Sequence, residues 1–265
     1  MSAAASADAH SLPILRVEQV FADTWGVIRR HTALYFVLTL MFGVAPALLV
    51  STLYGAAPGD LRDTPMYARI GAMALFVLGD AALSGALARM AFDDRAGNAL
   101  SLSRSLNSLR GRFWDLLLAA AAIDVPILAL NLGSSLIAHD QAGGLALYAL
   151  RFSVGVTLGA IWAGAGAAIL CEGLSGRGGL MRAAALTRGH RARTGLFFAA
   201  FFILKVLGPY LLVDFGLQRL AALAGDGEAA AATVALAGVL VWNLLACALG
   251  ISTALIYAML KDLNA

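Results

Sequence analysis

A chain of 265 residues in which 60% are hydrophobic and only 13% charged is too apolar for a soluble fold, where those shares run near half and a quarter. Its net charge of +3 does not mark a nucleic-acid binder. Two cysteines, Cys171 and Cys247, both in or beside apolar stretches, make no disulfide framework.

Residues 1–12 are small and polar and predict a disordered tail. No basic region followed by an apolar core stands there, so no cleaved signal peptide is expected. Residues 13–265 predict a single all-α membrane domain of six transmembrane helices. An amphipathic segment comes first, with Val17, Val20, Phe21, Trp25 and Ile28 on one helical face, and it ends in Arg29-Arg30-His31. About 20 apolar residues cross the ~30 Å hydrocarbon layer, and residues 33–53 and 70–89 supply the first two spans. Leu102, Leu106, Leu109 and Phe113 form a second amphipathic stripe in a connection carrying Arg95, Arg104, Arg110 and Arg112. The third and fourth spans are 113–137 and 145–170. The next connection holds Arg177, Arg182, Arg188, Arg191 and Arg193, with a weaker stripe around Leu180, Met181 and Ala184. The fifth span is 196–217. The sixth, 230–260, exceeds what a span requires, so it tilts or projects beyond the lipid.

The three stripes lead into Ile28-Arg29-Arg30-His31, Leu109-Arg110-Gly111-Arg112 and Thr187-Arg188-Gly189-His190, which lie 81 and 78 residues apart. Each precedes a span. The chain therefore reads as three units, 13–94, 95–173 and 174–265, each an amphipathic helix followed by a transmembrane hairpin. Fourteen Lys and Arg fall on the side of the termini and three, Arg62, Arg69 and Arg219, on the other. That bias predicts a bacterial inner-membrane protein with both termini cytoplasmic. Basic amphipathic helices can lie in the headgroup layer, arginines toward anionic lipid, or pack under the bundle as elbows. Gly155, Gly159, Ala163 and Ala167 on the fourth span, and Ala246, Gly250, Ala254 and Ala258 on the sixth, fall four apart and predict close helix packing, within the chain ahead of a dimer interface.

Five charges lie inside spans: Asp80, Asp124, Arg151, Lys205 and Asp214. Intramembrane charges are costly and are functional candidates by default. The spacing predicts Lys205 near Asp80 or Asp124, and Arg151 within reach of Asp214 or Asp80. Such a network serves as a proton or ion path, as a polar cavity for a headgroup, or as ion pairs fixing helix register. Pro126 and Pro209 stand close to Asp124 and Lys205 and interrupt helical hydrogen bonding there. His10, His31, His139 and His190 are scattered over both sides. No metal-binding, nucleophile or phosphate-loop pattern is present, so no catalytic residue, metal or cofactor is expected.

Glu172 closes the fourth span, and Arg182-Ala183-Ala184-Ala185-Leu186-Thr187-Arg188-Gly189-His190-Arg191 follows. This acid and segment, together with the first amphipathic helix ending in Arg29-Arg30-His31, resemble the membrane domain fused to some bacterial glycerophosphodiester phosphodiesterases, of which stand-alone relatives exist. Glu172, Arg182, Leu186, Thr187 and Gly189 carry the resemblance. The His-Arg-Gly and Glu-Asn-Thr-like segments of the partner enzyme barrel are missing, so the resemblance implies a membrane module without phosphodiesterase activity. The expectation is a non-enzymatic module that contacts anionic lipid, or holds a protein partner, at the cytoplasmic face. Its contacts would be Arg29, Arg30, Arg104, Arg110, Arg112, Arg182, Arg188, His190, Arg191 and Arg193. The alternative is a small transporter or lipid-handling carrier using the midplane charges.

Overall fold

The computed structural model describes residues 15–46, 48–49, 65–137, 141–209 and 228–264. The predicted tail, Asp214, and the ends of the first and fifth predicted spans lie outside the described residues.

Among the described residues every regular element is helical. In chain order they are α1 (Val17–Arg30), α2 (Thr32–Thr39), a π-helical turn (Leu40–Val44), α3 (Met66–Arg95), α4 (Leu102–Arg110), α5 (Phe113–Ile137), α6 (Gln141–Trp162), α7 (Ala165–Glu172), α8 (Gly176–Thr187), α9 (Arg191–Pro209) and α10 (Glu228–Leu263). Four stretches are long and apolar enough to cross a membrane: Met66–Arg95, Phe113–Leu130, Ala146–Glu172 and Ala237–Leu263. Thr32–Phe42 is a shorter apolar helix. At ~1.5 Å per residue, the 36 residues of α10 extend well past a ~30 Å hydrocarbon layer.

α10 is the hub. It packs against α1, α2, the π turn, α3, α7, α8 and α9, while α5 packs on α3, α6 and α8, and α9 lies along α6. Tyr257, Ile251, Ile256 and Leu260 of α10 are fully buried together with Leu87 and Met90 of α3 and Phe197 of α9. Small residues set how closely the helices approach. A Cβ on Gly159 would lie 2.4 Å from the Phe198 ring of α9, and one on Gly250 would lie 2.7 Å from Leu87 of α3. Both predicted small-residue stripes thus receive large side chains of neighbouring helices of the same chain.

The predicted fourth span is not one helix. The chain turns through Gly164 at φ 81° between α6 and α7. A Cβ at Gly164 would stand 2.4 Å from the Tyr257 Cβ, so glycine meets two needs at once: left-handed backbone and close approach of α10. The break frees carbonyls at the end of α6, and the buried Thr187 hydroxyl of α8 donates to the Ile161 carbonyl at 2.9 Å.

Three short helices, α1, α4 and α8, each join an apolar helix through one to three residues: His31, Gly111-Arg112 and Arg188-Gly189-His190. Ser101 and Ser175 cap the starts of α4 and α8 by accepting from Arg104 N at 3.4 Å and Gly178 N at 3.2 Å, satisfying donors that a helix N-terminus leaves free. All three helices are packed elbows. The inner stripe of α1 is Val20, Thr24 and Val27, and Thr24 meets Ser252 of α10 at 2.8 Å. Trp25, assigned to the apolar face from its spacing, instead points outward and is 66% exposed. On α8 the buried stripe is Gly176, Gly179, Ala183, Leu186 and Thr187, and Met181 likewise faces outward. The α4 stripe packs as its periodicity predicts, with Leu109 buried and Leu102, Leu106 and Phe113 against the core.

Candidate functional site

Two sets of polar groups stand out, one at the end of the molecule where the short helices lie and one midway along the long helices.

At the basic end, five acids are each taken by a cation. Asp94 accepts from Arg30 Nη2 at 2.6 Å and pairs with His31 Nε2 at 2.9 Å, clipping the α1–α2 joint to the end of α3. Asp93 pairs with Arg89 at 3.1 Å on one face of α3. Asp262 pairs with Arg95, joining the ends of α10 and α3. Asp115 lies 3.8 Å from Arg112 and accepts the Gly176 N–H at 2.7 Å, so it also helps start α8. Glu172 accepts from Arg182 Nε at 3.0 Å and from Lys261 Nζ at 3.1 Å, tying α7, α8 and α10 together. The hydrogen bond to Glu172 raises the hold of the Arg182 guanidinium on its proton above the usual, and the bond to Asp94 does the same for Arg30. The buried Tyr257 hydroxyl lies beside Glu172 and Arg182 but completes no hydrogen bond of good geometry.

The ten candidate contact residues therefore divide. Arg30, Arg112 and Arg182 are committed to internal carboxylates. Arg29, Arg104, Arg110, Arg188 and Arg191 are exposed and Arg193 is partly so, with no ion pair among the described residues. His190 is partly exposed in the α8–α9 joint. Large apolar side chains also face outward at this end: Trp25 on α1, Trp114 (78% exposed) in the first turn of α5 just past the α4–α5 joint, and Met181 on α8. Sequence periodicity missed this outward row, although two tryptophans beside arginine pairs were a signal for it. Of the residues carrying the family resemblance, Glu172 and Arg182 form the ion pair just described. Leu186 and Thr187 are buried, and Gly189 sits in open space in the joint.

Midway along the helices, Asp80 (α3), Asp124 (α5) and Lys205 (α9) lie within electrostatic reach of one another, and Arg151 (α6) lies within reach of Lys205. No ion pair within 4 Å forms between them among the described residues. Each cation instead meets a ring: Lys205 Nζ is 4.3 Å from the centre of Trp242 on α10, and Arg151 Cζ is 5.9 Å from that of Tyr148. Protein surrounds Asp80, yet its side chain stays accessible, and Asp124 and Lys205 are partly accessible. The backbone at this level is irregular. The π turn carries the Phe42 carbonyl to where a Cβ on Gly79, next to Asp80, would be 2.9 Å away. Pro126, two residues past Asp124, lies inside α5 and has no N–H to offer the preceding turn. Among the described residues no three His, Cys, Asp or Glu side chains converge as a metal site would need.

The chain matches no protein-family model, no curated protein and no solved structure.

Proposed function

We propose that this chain is a six-span, non-enzymatic module of a bacterial inner membrane, its three hairpins arranged with both termini cytoplasmic, and that its basic end is held in the anionic headgroup layer. The four apolar spans support membrane residence. The apolar Thr32–Phe42 and the apolar half of α9 would begin the first and fifth crossings. The resemblance to the membrane domain of the phosphodiesterases adds to this reading, as a module working without the enzyme.

One observation carries the proposal. At this end, exposed arginines with no ion pair among the described residues stand near outward-facing tryptophans, Arg29 four residues from Trp25 and Arg110 four residues from Trp114, and Met181 also faces outward on α8. Amphipathic aromatic rings favour the headgroup level, and each Lys or Arg near an anionic surface contributes about 1 kcal/mol. Five carboxylates at this end, Asp93, Asp94, Asp115, Glu172 and Asp262, are already paired, while Glu18 and Asp23 of α1 are exposed.

The test is lipid selectivity of the purified chain in bilayers mixing phosphatidylglycerol with phosphatidylcholine. Lipids retained around the protein should be enriched in phosphatidylglycerol at low salt. Changing Arg29, Arg104, Arg110, Arg188, Arg191 and Arg193 to Gln should remove that enrichment. A variant that stays folded and retains the same lipids as the parent would sink the proposal. So would recovery of an acidic protein partner at these arginines with no lipid preference.

A further inference from the structure

His31 is the single residue between α1 and α2, and both helices turn on it. Its N–H donates to the Ile28 carbonyl at 3.2 Å, closing α1, and its carbonyl accepts from Leu34 and Tyr35 at 3.0 and 3.2 Å, opening α2. Its ring leaves the joint and reaches α3, where Nε2 lies 2.9 Å from Asp94 Oδ1. The other carboxylate oxygen takes Arg30 at 2.6 Å. Only 11% of the Asp94 side chain and 31% of that of His31 reach solvent, against 57% for Arg30. The ring is thus the less hydrated of the two partners, where charge is screened least. Of the three groups in this clip, only an imidazole changes charge between about pH 5 and 8. The other charged groups of the packed elements are exposed or already held. α1 adds the exposed Asp23 and Arg29. α2 carries no charged side chain, only the buried Tyr35 phenol. On α3, Asp93 holds Arg89 and Arg95 holds Asp262 of α10, whose Lys261 is held by Glu172.

We propose that His31 is a pH-sensitive latch: charged, its ring grips the Asp94 carboxylate and clamps the α1–α2 joint to α3; neutral, it lets the joint loosen. The helix ends at the joint do not decide the sign, because the carbonyl end of α1 favours an imidazolium and the N–H end of α2 disfavours it. The Asp94 contact does. A charged donor binds an ionised carboxylate better than a neutral one, so docking is tightest at the acid end of the window and is lost as pH rises through it. The loosening is local. The middle of α1 is fastened independently, by Thr24 to Ser252 at 2.8 Å and by the Phe21 ring against Phe197. Trp25 and Arg29 stand on the last turns of α1, so the latch couples proton concentration to how part of the basic end is presented. That consequence rests on the headgroup reading; the latch itself does not.

The experiment is amide exchange of the full chain in detergent, with protection corrected for the intrinsic pH dependence of exchange. Between about pH 5.5 and 8, protection over residues 27–35 should fall about fivefold, the difference between a charge-assisted and a neutral hydrogen bond. H31Q should give a flat profile. R30Q, which leaves the ring as the sole cation on Asp94, should enlarge the step. The α8–α9 joint is an internal control, since His190 there has no ion pair among the described residues, and it should show no step. A flat profile in the unaltered protein overturns the proposal without recourse to any variant. So does a step that survives H31Q, a step that R30Q fails to enlarge, or an equal step at the α8–α9 joint. No lipid enters the measurement, so its outcome is separate from that of the lipid-retention test.

Discussion

The Thr187 hydroxyl donates to the Ile161 carbonyl across two helices at 2.9 Å, with Thr187 fully buried. It thereby repairs a defect made elsewhere, since the turn at Gly164 deprives the end of α6 of its helical partners. The hydroxyl also lies 3.0 Å from the Ala183 carbonyl of its own helix, which a serine could equally well reach. Replacement by valine keeps the shape and removes the donor. T187V should cost about 1–3 kcal/mol, the penalty for a buried acceptor left unsatisfied, while T187S should cost much less. Thermal unfolding in detergent separates the two, and equal melting temperatures for T187V and the parent would remove the repair role.

Gly164 and Gly166 lie two residues apart and should respond in opposite ways. An alanine at Gly164 would have to hold φ near 81° with its Cβ driven against Tyr257. The left-handed backbone alone costs about 1–2 kcal/mol, and displacement of α10 adds to it. The nearest atom to a Cβ on Gly166 is 3.6 Å away, an ordinary contact, and alanine gains up to about 1 kcal/mol in helix propensity. G164A should melt well below the parent and G166A at or above it. The reverse order would mean that α6 and α7 are one continuous helix.

This break shows where sequence reasoning reaches and where it stops. The start of α5 at Phe113 coincides with that predicted, because a polar border precedes the apolar run. Gly164 sits inside such a run, where a glycine that breaks a helix looks like one that merely packs. The predicted fourth span therefore reads as continuous. The charges at mid-span were legible as outliers in apolar stretches. That no ion pair forms between them among the described residues was not, nor that Lys205 meets the Trp242 ring and Arg151 the Tyr148 ring. At the basic end the arginines were legible but their division was not. Arg29 and Arg30 are sequence neighbours, and only Arg30 points at Asp94, because 100° of helical rotation separates them.

Cys171 and Cys247 give a direct check on packing and on orientation. Cys171 is exposed at the end of α7, and Cys247 is buried in α10 against Thr39 at 3.1 Å. A membrane-impermeant maleimide should label the chain once, at Cys171, and C171S should abolish labelling. With the proposed orientation, inverted inner-membrane vesicles should label and intact spheroplasts should not. Labelling from the spheroplast side would reverse the orientation, and labelling at Cys247 would contradict the packing of α10.

Glu172 ends α7, and its carboxylate holds Arg182 and Lys261 at once. Both cations are nearly half exposed, so they remain hydrated when released and each pair contributes only about 0–1 kcal/mol. E172Q should accordingly cost about 1–2 kcal/mol rather than abolish folding. The loss should also be local. Lys261 sits in the last turn of α10, whose end has one further ion pair among the described residues, Arg95 to Asp262. Amide exchange should therefore quicken around residues 258–264 and in α8, with α5 and the middle of α10 unchanged. A double-mutant cycle with R182Q supplies the control: if Glu172 acts through Arg182, the second substitution adds little to the first. Full additivity would show that the carboxylate is held for Lys261 alone.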